Sequence, residues 1–379
     1  MRDTQTQTTL SALSRIPSDI HCAQDYEFLA RQFIAAPIYA YVSGGSGRDI
    51  TLTANEDAFS RLSLWPRLLQ DVTSGHTGLR LLGRDFAHPI LLAPLAFQKL
   101  VHARGELDTA QAAAATDTCL VCSTLSSVSL EEVARYAGRE RWFQLYFQPG
   151  RDATLDLVRR AEAVGYTALV VTLDAAVQAP SHRALRAGFR MPDEGVAACL
   201  LGYPVTGPVS PPPGGSGIFQ GLMAQAPTWN DLAWLLEQTS LPVLVKGVLH
   251  PQDAACFRSM GVAGLVVSNH GGRTLDGVPA SLDMLPGIRH EVGPDYPLLL
   301  DSGIRSGSDV FKALALGADA VMVGRLQAYA LSVAGALGVA HMLKLLREEL
   351  ELCMAMTGCA TLANIGPEMI YPGKEGIPC

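Results

Sequence analysis

Short apolar runs alternate with longer amphipathic segments along the chain from residue 89 onward. The apolar runs predict eight β-strands, at residues 89–94, 119–123, 142–147, 167–173, 242–246, 263–268, 297–301 and 319–324. Helical patterns lie between them, for example at residues 104–117, 129–138, 153–164, 230–239, 251–260 and 307–316. Strands that alternate with helices in this way are typical of a parallel sheet with crossover helices.

The predicted strands are apolar through their bodies and carry polar or special residues at their carboxyl ends. Continuous apolar bodies suit strands that are buried on both faces of a sheet. Eight such units favour an α/β fold of the (β/α)8 type, a TIM barrel, whose active site lies at the carboxyl ends of the strands. A doubly wound open sheet is the main alternative. It is disfavoured because no G-x-G-x-x-G follows the first strand.

The segments outside the repeating units are interpreted as additions to one domain of residues 1–379. Residues 1–88 are predicted to form a helical extension that caps the barrel of residues 89–357, and residues 358–379 form a tail. The loop of residues 190–227, after the fourth strand, contains a run of Pro and Gly that sustains neither a helix nor a strand ladder. We interpret this loop as a mobile lid near the mouth of the site.

Composition and charge narrow the class of protein. Apolar residues make up 48% of the chain and charged residues 17%, which is typical of a globular protein. The net charge of −7 argues against nucleic acid and anionic membranes as partners. No apolar run reaches the roughly 18 residues of a membrane span, and residues 1–9 lack the apolar segment of a secretory signal. We therefore expect a cytoplasmic protein. The eight cysteines lack the spacing of a four-ligand zinc site, so no metal is expected.

Two loops towards the end of the predicted barrel point to a bound phosphate. The seventh strand is followed by Asp301-Ser-Gly-Ile-Arg-Ser-Gly307 and the eighth by Gly324-Arg325. Barrels commonly bind phosphate at these two loops, with glycine N–H groups and helix N-termini around the anion and arginine as the counter-charge. Either piece alone is typical of an ordinary turn, but the two together predict a phosphate site.

The sixth strand ends in Ser268-Asn-His-Gly-Gly-Arg273, which places a candidate base and a candidate anion ligand in one turn. Asp174 follows the fourth strand, where its carboxylate could orient the His270 imidazole and stabilise its cation. Lys246 ends the fifth strand. A buried lysine without an anionic partner is costly, so we expect it to face an electron-rich group. The alternatives are a helix-capping histidine and a lysine in a structural ion pair.

Several motifs in combination resemble the FMN-dependent 2-hydroxy acid oxidases and dehydrogenases, a family that includes glycolate oxidase, lactate oxidase and mandelate dehydrogenase. The motifs are Ala93-Pro-Leu-Ala-Phe-Gln-Lys99, Phe143-Gln-Leu-Tyr146, Leu244-Val-Lys-Gly247, Val267-Ser-Asn-His-Gly-Gly-Arg273 and Asp301-Ser-Gly-Ile-Arg305. The resemblance extends from about Tyr26 to Ile365. It implies that the chain binds FMN and oxidises a 2-hydroxy acid to the 2-oxo product.

The resemblance also implies a role for each site residue. The flavin ring and ribityl chain would contact Pro94, Leu95, Ala96, Ser123, Gln144, Thr172, Lys246 and Ser268. The phosphate would lie against Asp301, Ser302, Gly303, Arg305, Gly324 and Arg325. His270 would take a proton from the substrate, Asp174 would support the cationic form of His270, and Arg273 would bind the carboxylate. Lys246 would stabilise negative charge on the reduced flavin.

The same resemblance implies that Tyr41 and Tyr146 hydrogen-bond substrate oxygens. Ordinary packing is the alternative for both tyrosines. The assignment of Tyr41 depends on the alignment of Tyr39-Ala-Tyr-Val-Ser-Gly-Gly45, in which Tyr39 competes for the same role.

The chain departs from the family pattern after the fourth strand. Members usually carry a second substrate-binding arginine there, at the position of Ser181 in Val177-Gln-Ala-Pro-Ser-His-Arg183. The loss of one charge-assisted hydrogen bond would cost roughly 1.5–3 kcal/mol. Two hypotheses follow. Either Arg183 swings in from a reshaped loop, or the substrate is a larger, esterified, amidated or carrier-bound derivative; we prefer the second.

Two smaller departures concern the cofactor. Leu95 replaces a hydroxyl residue that is frequent in the flavin-contacting loop, which is compatible with an aryl-substituted substrate. Ser302 replaces a frequent glycine and requires either a non-glycine backbone angle or local strain. We expect FMN binding to survive both changes.

Two other functions stay open from the residues alone. One is an FMN-dependent isomerase, which is not expected to need His270 and Arg273 together. The other is a flavin-binding protein without turnover. The resemblance suggests a homotetramer, and no motif specifies which electron acceptor re-oxidises the flavin.

Overall fold

The computed structural model describes residues 9–192, 196–203 and 209–372. The strands in these ranges are β1 (Leu79–Leu81), β2 (Arg84–Phe86), β3 (Ile90–Leu92), β4 (Leu120–Ser123), β5 (Arg141–Leu145), β6 (Leu169–Thr172), β7 (Val243–Val248), β8 (Gly264–Val267), β9 (Leu298–Asp301) and β10 (Ala320–Val323). The helices are α1 (Asp25–Phe33), α2 (Ala36–Ser43), α3 (Ile50–Ser60), α4 (Glu106–Ala115), α5 (Leu130–Tyr136), α6 (Arg151–Ala163), α7 (His182–Arg186), α8 (Trp229–Gln238), α9 (Pro251–Ser259), α10 (Ser281–Val292), α11 (Gly307–Ala315) and α12 (Arg325–Thr357).

Strands β3 to β10 form a closed barrel of eight parallel strands, in which β10 returns to pair with β3. Each of the eight predicted strand segments overlaps one barrel strand, and each predicted helix overlaps an observed helix. The (β/α)8 barrel predicted from the alternation of elements is therefore confirmed.

The barrel strands are buried on both faces, which explains why they read as continuous apolar runs. In β10, Ala320 and Met322 belong to a cluster inside the barrel, whereas Val321 and Val323 belong to the larger cluster under the helices. All four residues are buried. The two clusters together form a core on either side of one cylindrical sheet.

The segment that precedes the barrel contains α1, α2 and α3, as predicted, and also the antiparallel hairpin of β1 and β2, which the prediction of a purely helical extension lacked. Leu81 and Phe86 of this hairpin belong to the cluster inside the barrel. The Phe86 ring contacts Trp142 edge-on, with 6.1 Å between the ring centroids. The hairpin thus closes the amino end of the barrel, opposite to the carboxyl ends of the strands.

The predicted loop of residues 190–227 is only partly described, because residues 193–195 and 204–208 lie outside the described ranges. Its described parts contain short helical turns at Ala198–Leu200, Gly217–Gly221 and Leu222–Gln225. The Ala198 N–H donates to the Ser126 carbonyl at 2.8 Å, so this part of the loop is attached to the barrel. Movement of the loop as a lid stays a prediction.

Helix α12 is long and apolar enough to cross a membrane, judged by length and composition alone. However, 67% of its most apolar stretch is buried inside the protein. The helix is interrupted at Ala334 and Gly335, and it packs against α1, α4 and α11. Its apolar surface therefore belongs to the core.

Candidate active site

A cavity of about 460 Å³ opens at the carboxyl ends of the barrel strands, where barrel enzymes hold their active sites. Most of the site residues predicted from the sequence line this cavity. They are Tyr41, Pro94, Leu95, Ala96, Ser123, Gln144, Tyr146, Thr172, Lys246, His270, Arg273, Asp301, Ser302, Gly303, Arg305, Gly324 and Arg325. Three predicted residues, Asp174, Ser268 and Arg183, do not line it.

His270 lies on the cavity wall, and its Nδ1 is 3.0 Å from Asp174 Oδ1. Because Nδ1 contacts the carboxylate, Nε2 is the ring nitrogen left for a substrate. His270 has a φ of +59°, and Gly271 and Gly272 also have positive φ. A Cβ on Gly272 would come within 2.6 Å of the Leu52 backbone nitrogen. The two glycines after His270 therefore suit a left-handed turn against which α3 packs.

Asp174 packs on Gly247, where the register between β7 and β8 shifts. A Cβ at this glycine, whose φ is +104°, would come within 2.5 Å of Asp174 Cβ and Cγ. Burial raises the pKa of the Asp174 carboxyl, but the charges of His270 and Lys246 outweigh burial, so this pKa lies below its usual value. The carboxylate is thus anionic at neutral pH and can hold the imidazole in one orientation through Nδ1.

Lys246 is a buried cation with only 4% of its side chain exposed. Its Nζ lies 2.9 Å from Asp301 Oδ2 and donates to Ser268 Oγ at 2.8 Å. Burial lowers the pKa of Lys246, but Asp301 and Asp174 outweigh burial and raise it above the usual value. The Asp301 carboxylate pairs with this lysine, and its predicted contact with the phosphate stays a prediction. Ser268 accepts the hydrogen bond from Lys246 and is not among the residues that line the cavity.

Arg305 is bound to two carboxylates from the segment that precedes the barrel. Its Nε lies 3.2 Å from Glu27 Oε2, and its Nη2 lies 2.8 Å from Glu56 Oε1. Glu27 is on α1 and Glu56 is on α3. The charge of this arginine is therefore largely balanced by the protein itself.

Arg273 and Arg325 have different partners from those of Arg305. Both donate to the Gly44 carbonyl, at 3.0 and 2.9 Å, and neither has a carboxylate within 4 Å among the described residues. Burial, together with the charge of Arg273, lowers the pKa of Arg325 to about 10. Two guanidinium groups bound to backbone carbonyls can each accept an anionic ligand.

The cavity also holds polar groups that need a ligand. Gln144 Nε2 and Thr172 Oγ1 are buried and have no hydrogen-bond partner within the described part of the chain. Buried polar atoms are normally paired, so a polar molecule beside them is expected. Gly303 lines the same cavity as Arg325; its φ is +89°, and a Cβ there would come within 2.4 Å of the Asn55 carbonyl oxygen. These features fit FMN, with polar ring atoms for the unpaired side chains and a phosphate for the arginine.

Tyr41, and not Tyr39, lines the cavity. The Tyr39 ring stacks on Tyr329, with 5.9 Å between the centroids, so it is half-buried against the core. The Tyr41 ring stacks on Phe189 at 4.3 Å and lies 4.7 Å from the guanidinium carbon of Arg273. The structure thus separates the two tyrosines that the sequence alignment left in competition.

Tyr146 faces the cavity just after the end of β5. Burial raises the pKa of Tyr146 above its usual value, so the hydroxyl stays protonated and can donate a hydrogen bond. Its backbone N–H donates to Thr124 Oγ1 at 3.1 Å, which holds the end of this strand.

Arg183 does not reach the cavity, so its predicted role in substrate binding is not supported by the geometry. Its Nη2 lies 2.8 Å from Asp49 Oδ2, and 46% of its side chain is exposed. Ser181 Oγ caps the first turn of α7. The Pro180 carbonyl accepts from the Gly47 N–H at 3.0 Å, which holds this loop against the segment after α2.

Sequence reasoning missed several residues near the cavity. Gln178 and Met191 line it from the segment after β6. Glu106 Oε1 accepts from the N–H groups of Gln98 and Ser127, at 3.1 and 2.8 Å, and so ties the loop after β3 to the loop after β4. An acidic residue in the first turn of a predicted helix was the available signal for Glu106.

A barrel with an anion site at its last two loops and a base at its sixth barrel strand has the layout of an enzyme that binds a phosphate-bearing ligand. Residues 30–372 match the family of FMN-dependent dehydrogenases, and the chain belongs to this family.

Relatives across most of the chain agree with this assignment. The chain is 58% identical over 363 residues to an L-lactate oxidase of Alicycliphilus denitrificans, an alignment that covers 96% of this chain and 100% of the relative. It is 40% identical to glycolate oxidase 3 of Oryza sativa subsp. indica, covering 93% of this chain and 96% of the relative. A crystal structure of mandelate oxidase with (S)-2-phenylpropionate superimposes with a TM-score of 0.83 at 38% identity, covering 93% of this chain and 98% of that one.

These findings confirm the family, the cofactor and the reaction class expected from the motifs. The chain is an FMN-dependent enzyme that oxidises a 2-hydroxy acid. The three relatives named above are oxidases, so the isomerase and the flavin protein without turnover are set aside.

Proposed function

We propose that the chain is an oxidase of small L-2-hydroxy acids, with L-lactate as a representative substrate and oxygen as the electron acceptor. The L-lactate oxidase that is 58% identical supports this choice of substrate and acceptor. The observation that carries the proposal is that His270, Arg273 and Lys246 line one cavity. A base, a carboxylate ligand and a cation for the reduced cofactor are thus available to one small molecule.

Substrate binding in this proposal depends on Arg273. Its guanidinium keeps donors beyond those that contact backbone carbonyls, and these donors bind the substrate carboxylate. The hydroxyls of Tyr41 and Tyr146 donate to substrate oxygens. Phe189, stacked on Tyr41, keeps that tyrosine ring beside the arginine.

Proton transfer in this proposal depends on His270. Its Nε2 takes a proton from the substrate while Nδ1 contacts Asp174. The carboxylate stabilises the imidazolium that forms and holds the ring in one orientation.

When bound, FMN would supply the acceptor for the two electrons of the substrate. Gln144, Thr172 and the backbone from Pro94 to Ala96 would hold its ring, and Arg325 with Gly303 would hold its phosphate. Lys246 would supply a fixed positive charge beside the ring, which favours an anionic reduced form.

The proposal also concerns whether the carboxyl group of the substrate is a free acid, an ester or an amide. With Ser181 capping α7 and Arg183 paired with Asp49, Arg273 is the guanidinium that meets the carboxylate. A free acid and an uncharged ester or amide should therefore differ less in affinity than they would beside two arginines. The removal of one charged hydrogen bond is expected to weaken substrate binding by about 10- to 150-fold.

Anaerobic reduction of the purified holoenzyme tests the proposal. L-lactate, D-lactate, glycolate, (S)-mandelate and L-lactate methyl ester are added without oxygen, and flavin absorbance is recorded. We expect L-lactate to bleach the flavin fastest and the D-enantiomer to bleach it poorly. A flavin that none of these compounds reduces would refute the proposal.

Two arginine variants locate the carboxylate in the same assay. Arg273→Met should weaken binding of L-lactate by about 10- to 150-fold and binding of the ester much less. Arg183→Ala is the matched control and should leave both within about 2-fold, because its partner is Asp49. A large loss with Arg183→Ala would restore the hypothesis that this side chain swings into the cavity.

We also propose a cytoplasmic homotetramer. Free thiols at the seven cysteines of the described residues fit a reducing compartment, and the family resemblance supports the tetramer. Light scattering on the purified protein should give about four times the chain mass of 40.3 kDa. A monomer in that measurement would contradict the proposed assembly.

A further inference from the structure

Ser302, in the loop after β9, has an unusual backbone for a residue with a side chain. Its φ is +82°, in the region that glycine occupies without strain. A serine held in this region is expected to make contacts that offset the strain. Its hydroxyl makes two hydrogen bonds that a glycine would lack.

These hydrogen bonds join two loops of the site. Ser302 Oγ accepts from the Gly271 N–H at 2.9 Å, directly after the His270 base. The same hydroxyl donates to Asp301 Oδ1 at 2.8 Å. The other oxygen of that carboxylate, Oδ2, lies 2.9 Å from Lys246 Nζ.

The contacts continue until they close a ring. Lys246 Nζ donates to Ser268 Oγ at 2.8 Å, and the same oxygen accepts from the His270 N–H at 3.0 Å. The turn that carries the base and the buried cation of the cavity are therefore connected twice, through Ser268 and through Ser302.

We propose that Ser302 is a positioning residue for the redox reaction. It holds the turn of His270 against the Asp301–Lys246 pair, so that the base and the cation keep one arrangement beside the flavin. This inference rests on the proposed function and extends it to a residue that touches neither the substrate proton nor the lysine.

The direction of its effect follows from the hydroxyl. As a donor to Asp301, Ser302 withdraws charge from the carboxylate and restrains its orientation. Without this hydrogen bond the carboxylate offsets more of the Lys246 charge. A weaker positive field disfavours an anionic reduced flavin, so the FMN potential should fall.

Ser302→Gly and Ser302→Ala test the proposal as a matched pair. Both variants lose the hydroxyl, whereas only the glycine is free of strain at a φ of +82°. The FMN midpoint potential and the anaerobic rate of flavin reduction at saturating L-lactate are measured on the holoenzymes. We expect both variants to retain FMN. We expect the reduction equilibrium to shift by about 2- to 10-fold, at most about 30 mV for a two-electron couple, together with a slower reduction step.

The outcomes distinguish an effect of the lost Ser302 hydroxyl from an effect of backbone strain. A lowered potential in both variants supports the proposal. Wild-type potentials in both variants would overturn it, and so would a change confined to Ser302→Ala, because the effect would then come from backbone strain. If L-lactate and the other acids fail to reduce the wild-type flavin, the proposed function fails, while the potentials still decide the role of Ser302.

Discussion

The cavity has a substrate end, with His270 and Arg273, and a phosphate end, with Arg305 and Arg325. Each end pairs a basic side chain with carboxylates, but these carboxylates come from different segments of the chain. At the substrate end, His270 is paired with Asp174, which follows β6 of the barrel itself. At the phosphate end, Arg305 is paired with Glu27 and Glu56, which come from helices that precede the barrel. The carboxylate partner of the base thus comes from the barrel, whereas the carboxylate partners of the phosphate-end arginine come from α1 and α3.

The two ends also share one arrangement of their basic side chains. In each, one basic side chain is paired with carboxylates: His270 with Asp174, and Arg305 with Glu27 and Glu56. The other basic side chain, Arg273 or Arg325, donates to backbone carbonyls such as that of Gly44, and retains its charge for a ligand. The comparison teaches that the partners of a buried arginine, and not its burial alone, indicate whether it serves the fold or the ligand.

Removal of the base should produce the largest effect and leave the other end intact. His270→Gln is expected to slow anaerobic flavin reduction by about 10²- to 10⁴-fold, the usual contribution of a general base. The FMN content and the affinity for FMN should not change, because the phosphate end has separate partners. Stopped-flow reduction and flavin titration measure the two quantities. A variant that loses FMN would show that the two ends are not independent.

Removal of the Arg325 guanidinium at the phosphate end should have a smaller effect than removal of the base. This effect should fall on FMN binding and not on proton transfer. Arg325→Met is expected to weaken FMN binding by about 10- to 150-fold, since one charge-assisted contact is lost. Riboflavin, which lacks the phosphate, should bind the variant as it binds the wild type. Fluorescence titration of the apo-protein with both flavins tests this. An equal loss for both would place the phosphate elsewhere.

The smallest effects should separate the carboxylates of the two ends. Glu56→Gln is expected to lower the free energy of unfolding by about 0–1 kcal/mol, since 40% of this side chain is exposed. Asp174→Asn should lower the free energy of unfolding by more than this at neutral pH, because the pKa of Asp174 is held below its usual value by His270 and Lys246 despite burial.

The stability that is lost in Asp174→Asn should depend on pH in one direction. A lowered carboxyl pKa stabilises the fold above the ordinary value of 3.8, and this contribution is lost as the pH falls through the lower, folded-state value. The difference in thermal midpoint between wild type and Asp174→Asn should therefore shrink on acidification below 3.8. A difference that grows in acid would contradict the assignment.

Much of the substrate end could be predicted from the sequence. The motif Ser268 to Arg273 requires a left-handed turn, and Gly247 is required because Asp174 packs on it. A backbone angle is a constraint on a single residue, so the turn after Ser268 and the φ of +104° at Gly247 leave a pattern in the sequence. The placement of His270, Lys246 and Arg273 on one cavity follows from their positions at strand ends of a barrel.

The phosphate end and the loop after β6 were harder to predict. Asp301 was assigned to the phosphate from the motif alone, and its pairing with Lys246 was not foreseen. Arg183 was expected in the cavity but pairs with Asp49. The partners in both cases lie more than 50 residues away in the sequence, and no local pattern records them.

The sequence by itself determined the barrel and the chemistry at its strand ends, because burial on both faces demands unbroken apolar runs and left-handed turns favour glycine. Only the tertiary structure decided which carboxylate meets which cation, which of Tyr39 and Tyr41 faces the cavity, and that Ser302 closes a ring with Lys246. The reason is physical. Apolar burial and backbone angles are constraints on single residues, whereas an ion pair depends on the distance between two side chains that the chain brings together only on folding.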